Sequence, residues 1–257
     1  MDDKELLDVC NRTADAVALA LSTVEDWAPL GGRSGQYAID LVADAAALGV
    51  LNEAGLSVLS EESGRHRPEG SLVAVVDPVD GSTNASRGIP WYATSVCILD
   101  DEGPRVAVVA NQAAGNRYHA VRGAGAWSGT RRLSPSGCTK LASAIVGLSG
   151  YPESHLGWSQ FRSLGAAALD LCAVAEGVLD AYAVVGNSSL GSWDYLGGML
   201  VCAEAGAVFA SLDGQNLVTT EHDARRVLAA AASPLLLDQL VGAVGAAAVA
   251  AAAAHSA

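Results

Sequence analysis

Asp77 and Asp80 stand three positions apart at the close of the apolar run that begins at Val73. Pro78 and Val79 lie between them, and Gly81-Ser82-Thr83-Asn84 follows. A buried strand that delivers carboxylates to a sheet edge is one way to build a metal site. The hydroxyls and backbone N–H groups that come next suit a phosphate. A second short apolar run, Ser57-Val-Leu-Ser, ends in Glu61-Glu62, and far downstream Trp193-Asp194 leads a stretch closing on Glu204-Ala-Gly206. Carboxylate oxygens fit Mg²⁺, which holds on to several waters. His66, His119, His155, His222 and His255 form no zinc-like cluster. Phosphate monoester hydrolysis demands neutralised phosphoryl oxygens, an activated water and a stabilised leaving alkoxide, all of which divalent ions can supply.

Each motif alone has a plainer reading. Asp80-Gly81 is commonly a turn, Asp194 a helix N-cap with Trp193 in the core, and Glu61-Glu62 a solvated loop. Their joint occurrence favours a site.

The elements that must position these residues follow from periodicity. Leu6, Leu7, Cys10, Ala14, Val17, Ala18 and Leu21 recur at helical spacing, predicting a helix over 4–26. A second helix is expected over 36–54. Strands are expected at 56–60, 72–77, 94–99, 105–110 and 116–121. Gly, Ser and Pro thicken at 128–137, which reads as a boundary between domains at 1–135 and 136–257. Beyond it the pattern gives a strand at 144–148, a helix at 164–177, a strand at 179–185 and a helix at 194–205. Strands at 207–210 and 226–231 precede an Ala-rich terminal helix. Alternation of this kind predicts an α/β or α+β class with layered sheets.

Composition narrows the partners. With 51% hydrophobic and 17% charged residues, the 257-residue chain is globular. A net charge of −13 argues against a nucleic-acid groove. The tail from 240 to 254 is short for a membrane span and consists mostly of Ala and Gly. Five isolated cysteines without C-x-x-C, and Asp2-Asp3-Lys4-Glu5 in place of an apolar leader, point to a reduced, cytoplasmic protein.

The motifs Asp77-Pro-Val-Asp-Gly-Ser-Thr-Asn84, Glu61-Glu62 and Trp193-Asp194…Glu204-Ala-Gly206, in this order, resemble the inositol monophosphatase family of metal-dependent, lithium-sensitive phosphatases. The stretches 89–96, 120–127 and 165–172 resemble it too, so the likeness spans roughly residues 4 to 235. It implies the layered αβαβα sugar-phosphatase fold, two or three Mg²⁺ ions, a small phosphorylated metabolite as substrate and a homodimer. It also implies that Asp77 bridges two ions, that Glu61 and the Val79 carbonyl serve the first, and that Asp80 and Asp194 serve the second. The N-terminal domain would then carry most ligands, and the C-terminal domain Asp194 and the substrate pocket. Gly81 and Ser82 would receive the phosphate. Glu61 and Ser82 would also take part in catalysis, with the Ser82 hydroxyl positioning water where the family has threonine.

For the aspartate that orients this hydroxyl, Asp40 is chosen over Asp44, with Tyr37 standing where the family has threonine. Ala166 replaces a hydroxyl residue after Gly165, and no acid occupies 183–192, where inositol phosphatases carry a glutamate. Asn187, Ser188 or Ser189 are the candidates to substitute, while Asp170 reads as structural. Inositol monophosphate is the default substrate. Fructose 1,6-bisphosphate, histidinol phosphate and 3′-phosphoadenosine 5′-phosphate are alternatives, as is a catalytically weak regulatory binding protein.

Overall fold

A computed structural model of the chain describes residues 1–24, 38–67 and 70–255, with side chains to residue 245. Two helices come first: α1 (Asp3–Ser22) and α2 (Ala38–Glu53). Asp2 caps α1 in a reciprocal box with Glu5, which satisfies first-turn N–H groups and ends the extended entry.

Eight strands then build the first sheet. They are β1 (Ser57–Ser60), β2 (Gly64–His66), β3 (Val73–Asp80), β4 (Ala93–Asp100), β5 (Gly103–Asn111), β6 (Arg117–Val121), β7 (Gly125–Ser128) and β8 (Arg131–Arg132). Their spatial order is β2-β1-β3-β4-β5-β6-β7-β8, with β1 and β3 parallel. A short helix α3 (Ser82–Ser86) follows β3.

The second sheet has five strands in the order β10-β9-β11-β13-β12. They are β9 (Ile145–Ser149), β10 (Gln160–Arg162), β11 (Ala181–Val184), β12 (Val208–Ser211) and β13 (Leu228–Ala231). Helices α4 (Ala167–Glu176), α5 (Ser192–Ala205) and α6 (Pro234–His255) complete the chain.

Strand alternation sorts the side chains into layers. Val58, Ala74, Val76, Val96, Ile98, Val106 and Val108 face α1 and α2 through Leu6, Val9, Val17, Ile39, Ala43 and Leu51. Their neighbours Leu59, Val75, Cys97, Ala107 and Val109 face Leu169, Leu171, Leu196 and Leu200 of α4 and α5. The same core reaches Tyr182, Val184, Leu228 and Ala230 of the second sheet. The outer side of that sheet packs Ala181, Ala183, Ala229 and Ala231 against Leu236 and Leu240 of α6. Five layers result, αβαβα, as the resemblance implied. The central helices α4 and α5 serve both sheets.

The decisive departure from expectation is in β3. It does not stop at Asp77 but runs to Asp80. Asp77 pairs with Ser95 and Asp80 with Ala93, so Pro78 and Val79 together oppose a single partner residue. This bulge is what brings the two acids to one face: residues three apart in a regular strand point to opposite sides. Proline is tolerated because β1 pairs with β3 only as far as Val76, so no ladder partner is waiting for its missing N–H. β2, β7, β8, β10 and α3 were not anticipated. The first four are short, and β8 and β10 are wholly exposed, so they carry no alternation to read. Tyr37 and the proposed helix residues 25, 26 and 36 lie outside the described residues.

Candidate active site and metal centre

Glu61 follows β1, Asp77 sits in β3 on the α4/α5 side, and Asp194 lies in the first turn of α5. Oxygens of these three carboxylates lie within 4.8 Å of one another. Asp77 is 1% exposed, and its Oδ1 accepts from the Val79 N–H at 2.9 Å, a local turn that fixes the side chain. The Thr94 hydroxyl donates to the Pro78 carbonyl at 2.9 Å, securing the bulge from β4. Asp194 Oδ2 accepts from the Gly191 N–H at 2.7 Å at the start of α5.

Asp80 is placed differently from the other three. Its Oδ2 accepts from the Ala168 N–H at 2.7 Å. Ala166, the N-cap of α4, has no side-chain acceptor to offer, so Asp80 takes over the capping from a distant strand. It stands outside the close triad but raises the pKa of both Asp77 and Asp194 through its charge.

The electrostatics follow from burial and crowding. Burial, then the Asp194 charge, pushes the Glu61 carboxyl up to about 8. Burial and then the charges of Glu61, Asp80 and Asp194 hold Asp77 well above the usual range. Burial likewise raises Asp80, against the opposing Ala168 N–H. Asp194 rises to about 7, again by burial first and then Asp80, with the Gly191 N–H and the Arg225 guanidinium pulling it down. A hard divalent cation fits this donor set. It is all oxygen, and the mutual repulsion that makes ionisation costly is what a cation removes.

Ser82 begins α3, half-buried, directly after Gly81. Gly81 has φ +87°, and a Cβ there would stand 3.1 Å from the carbonyls of Trp91 and Gly165 and 3.2 Å from Ala166 Cβ. Gly165 and Ala166 are thereby brought against the motif. Asp40 is buried in α2 and near enough to raise the Glu61 pKa. Asp44 accepts from the Ser60 hydroxyl. Asn187 lies in the turn between β11 and α5. It lines a cavity of about 420 Å³ whose wall includes Pro152, Leu156, Val184, Val241 and Val244.

The model of the inositol monophosphatase family matches residues 37–248. The chain belongs to that family. A fructose-1,6-bisphosphatase/inositol-1-monophosphatase of Archaeoglobus fulgidus is 31% identical over 234 residues, covering 87% of this chain and 91% of the relative. A histidinol-phosphatase of Mycobacterium tuberculosis is 34% identical, over 62% of this chain and 66% of that one. A Pyrococcus horikoshii protein with similarities to inositol-1-monophosphatase superposes with TM-score 0.81 at 25% identity, covering 94% of this chain and 97% of that one. Family membership makes the chain a phosphomonoester hydrolase from a metal-dependent group acting on small phosphorylated substrates. No described helix is long and apolar enough to cross a membrane.

Some of the family motif's work is visible only in three dimensions. Asn84 Nδ2 donates to the Trp91 carbonyl at 2.8 Å and to the Leu164 carbonyl at 2.7 Å, tying the Gly165 loop to the motif. Asp170, fully buried, accepts from the Trp91 indole N–H at 2.9 Å. Sequence reasoning gave no role to Asn84, although it ends the motif. It also passed over His222 and Arg225, which no spacing signal marks.

Proposed function

We propose that the protein is a Mg²⁺-dependent, lithium-sensitive cytoplasmic phosphatase of a small sugar, polyol or related phosphomonoester, acting as a homodimer. The observation that carries the reading is the meeting of half-buried Glu61 and Asp194 with buried Asp77, from three separate elements. When bound, two or three Mg²⁺ ions would neutralise the phosphoryl oxygens, acidify a water and stabilise the departing alkoxide. Glu61, Asp77, Asp194, Asp80 and the Val79 carbonyl are the residues to hold them. By the family resemblance Asp77 would be the shared ligand, and its side chain is hydrogen-bonded to both Glu61 and Asp194.

The chain's own groups do the rest. The N–H groups of Gly81 and Ser82 receive the phosphate at the turn after β3. The Ser82 hydroxyl orients the attacking water, with the buried Asp40 carboxylate orienting the hydroxyl. Gly165 and Ala166, packed on Gly81, border the leaving group. Ala166 offers no hydroxyl, and the turn from β11 to α5 offers no carboxylate, so contacts to a polyol are weakened while the phosphate grip is kept. Inositol 1-phosphate, fructose 1,6-bisphosphate and histidinol phosphate are therefore competing substrates, in keeping with the names of the relatives.

The test is phosphate release from a panel of these esters with Mg²⁺, with Asp77→Asn as the control. The expected result is turnover of several esters by the wild type and none by Asp77→Asn. Preference for inositol 1-phosphate by more than about a hundredfold in kcat/KM, worth about 2.7 kcal/mol, would refute the pocket assignment. Near-wild-type turnover by folded Asp77→Asn would refute the site.

A further inference from the structure

The segment between β12 and β13 comes back to touch the residues beside the acidic cluster. His222 Nε2 meets the main-chain carbonyl of Glu61 at 3.1 Å, across 161 positions of sequence. The same imidazole lies against the Trp193 ring, with centroids 4.9 Å apart and planes inclined by 36°. Arg225 places its guanidinium carbon 5.1 Å from the Trp193 ring centroid. Arg225 Nη1 is itself fixed, donating to the carbonyls of His222 at 2.9 Å and Ala224 at 3.0 Å. Trp193 is 3% exposed and immediately precedes Asp194. Its ring occupies space that only glycine leaves open at 191, where a Cβ would stand 2.4 Å from the indole.

A second tie holds the segment to the first sheet. Arg65 in β2 donates to the Thr220 carbonyl through Nε at 3.1 Å and Nη2 at 2.6 Å, and to the Thr220 hydroxyl at 2.9 Å. It also reaches Glu221 at 3.1 Å.

Glu61 and Asp194 come from different elements, and no backbone hydrogen bond joins them. The 219–225 strap supplies a link: one imidazole grips the backbone of the first ligand and the ring beside the second. We infer that His222, clamped with Arg225 on Trp193 and anchored through Arg65, is a positioning residue that sets the Glu61-to-Asp194 spacing needed to bind the divalent ion. This rests on the metal reading of the preceding section. Partners that orient metal ligands typically change affinity by 10–100-fold when removed. His222 faces the Glu61 carbonyl rather than its carboxylate, so it preserves the ligand's charge and acts only on its place.

The test is calorimetric titration of the full-length, metal-stripped protein with Mn²⁺ and Mg²⁺, which reads binding without activity. His222→Phe keeps a ring on Trp193 and removes the donor to Glu61. It should weaken ion binding roughly tenfold or more, with only a small change of melting temperature in chelator. His222→Gln restores a donor and should recover part of the loss. Arg65→Met, at an exposed position, frees the strap without touching His222 or Trp193, and should weaken binding several-fold. It carries the test if His222→Phe does not fold. Wild-type affinity in folded His222→Phe, or in Arg65→Met should it stand alone, would overturn the inference. Absence of binding by the wild type would instead overturn the metal reading itself, and the strap's role with it.

Discussion

Glu61→Gln should make the metal-free protein more stable while destroying its activity. Burial and the neighbouring acids raise this carboxyl from 4.5 to about 8 in the fold. A carboxyl whose folded pKa lies above its unfolded one binds more protons when folded, so stability falls as pH rises between the two values. Each pH unit in that window costs about 1.4 kcal/mol. At pH 7 the ionisable group therefore costs the fold about 3 kcal/mol. Glutamine removes the charge, keeps the size and can donate to Asp77. For a chain of this length, about 3 kcal/mol corresponds to roughly 6–12 °C in Tm. Differential scanning fluorimetry in chelator reads this directly. The variant's advantage should be several degrees at pH 7, grow towards pH 8, and close as pH falls below 4.5, where Glu61 becomes protonated in both states. Excess Mg²⁺ should stabilise the wild type and leave the variant unmoved. An advantage independent of pH, or no advantage at pH 8, would refute the claim that Glu61 is held at the fold's expense.

Ser82→Ala should lower kcat roughly a hundredfold, the range for a positioned proton-transfer or water-orienting group, with little change in KM. Ser82→Thr should match or exceed the wild type, because β-branching stiffens χ1; steady-state kinetics on the best ester decides both. Gly81→Ala combines a left-handed backbone at φ +87° with contacts at 3.1 and 3.2 Å, and should cost about 2–3 kcal/mol, read as a lowered Tm. Li⁺ should inhibit turnover when Mg²⁺ is present, which titration of Li⁺ at fixed Mg²⁺ will show.

Much of this architecture was legible because apolar periodicity is local. Most of the longer helices and the core strands of both sheets stand within a few residues of where periodicity put them. The acidic motifs were legible because aspartates flanking a proline before glycine are chemically unusual together. What sequence could not supply was register. The apolar run suggested a strand over 72–77, whereas the bulge carries pairing on to Asp80 and turns both acids to one face. Nor could it show that Asp80 caps α4, because that need arises from Ala166 lying 86 positions away in a different layer. Asn187 was read as pocket-lining from its place before Trp193, and sequence could not show that it also borders the cavity beside α6. His222 was unreadable in principle: its partners are a carbonyl and a ring brought up by the fold.

The ties that assemble this site span long stretches of chain: 80 positions for Asn84 to Leu164, 88 for Asp80 to Ala168, and 161 for His222 to Glu61. Contacts of such separation can close only after the intervening chain has been ordered, and they slow folding. The two halves can gain helices and strands while the acids remain apart. During refolding, circular dichroism should therefore recover ahead of phosphatase turnover. On the ribosome, the cluster cannot assemble until Asp194 has joined Glu61 and Asp77. A chain made only as far as the first sheet would carry Glu61, Asp77 and Asp80 yet lack Asp194, so hydrolytic power is withheld until both halves have met.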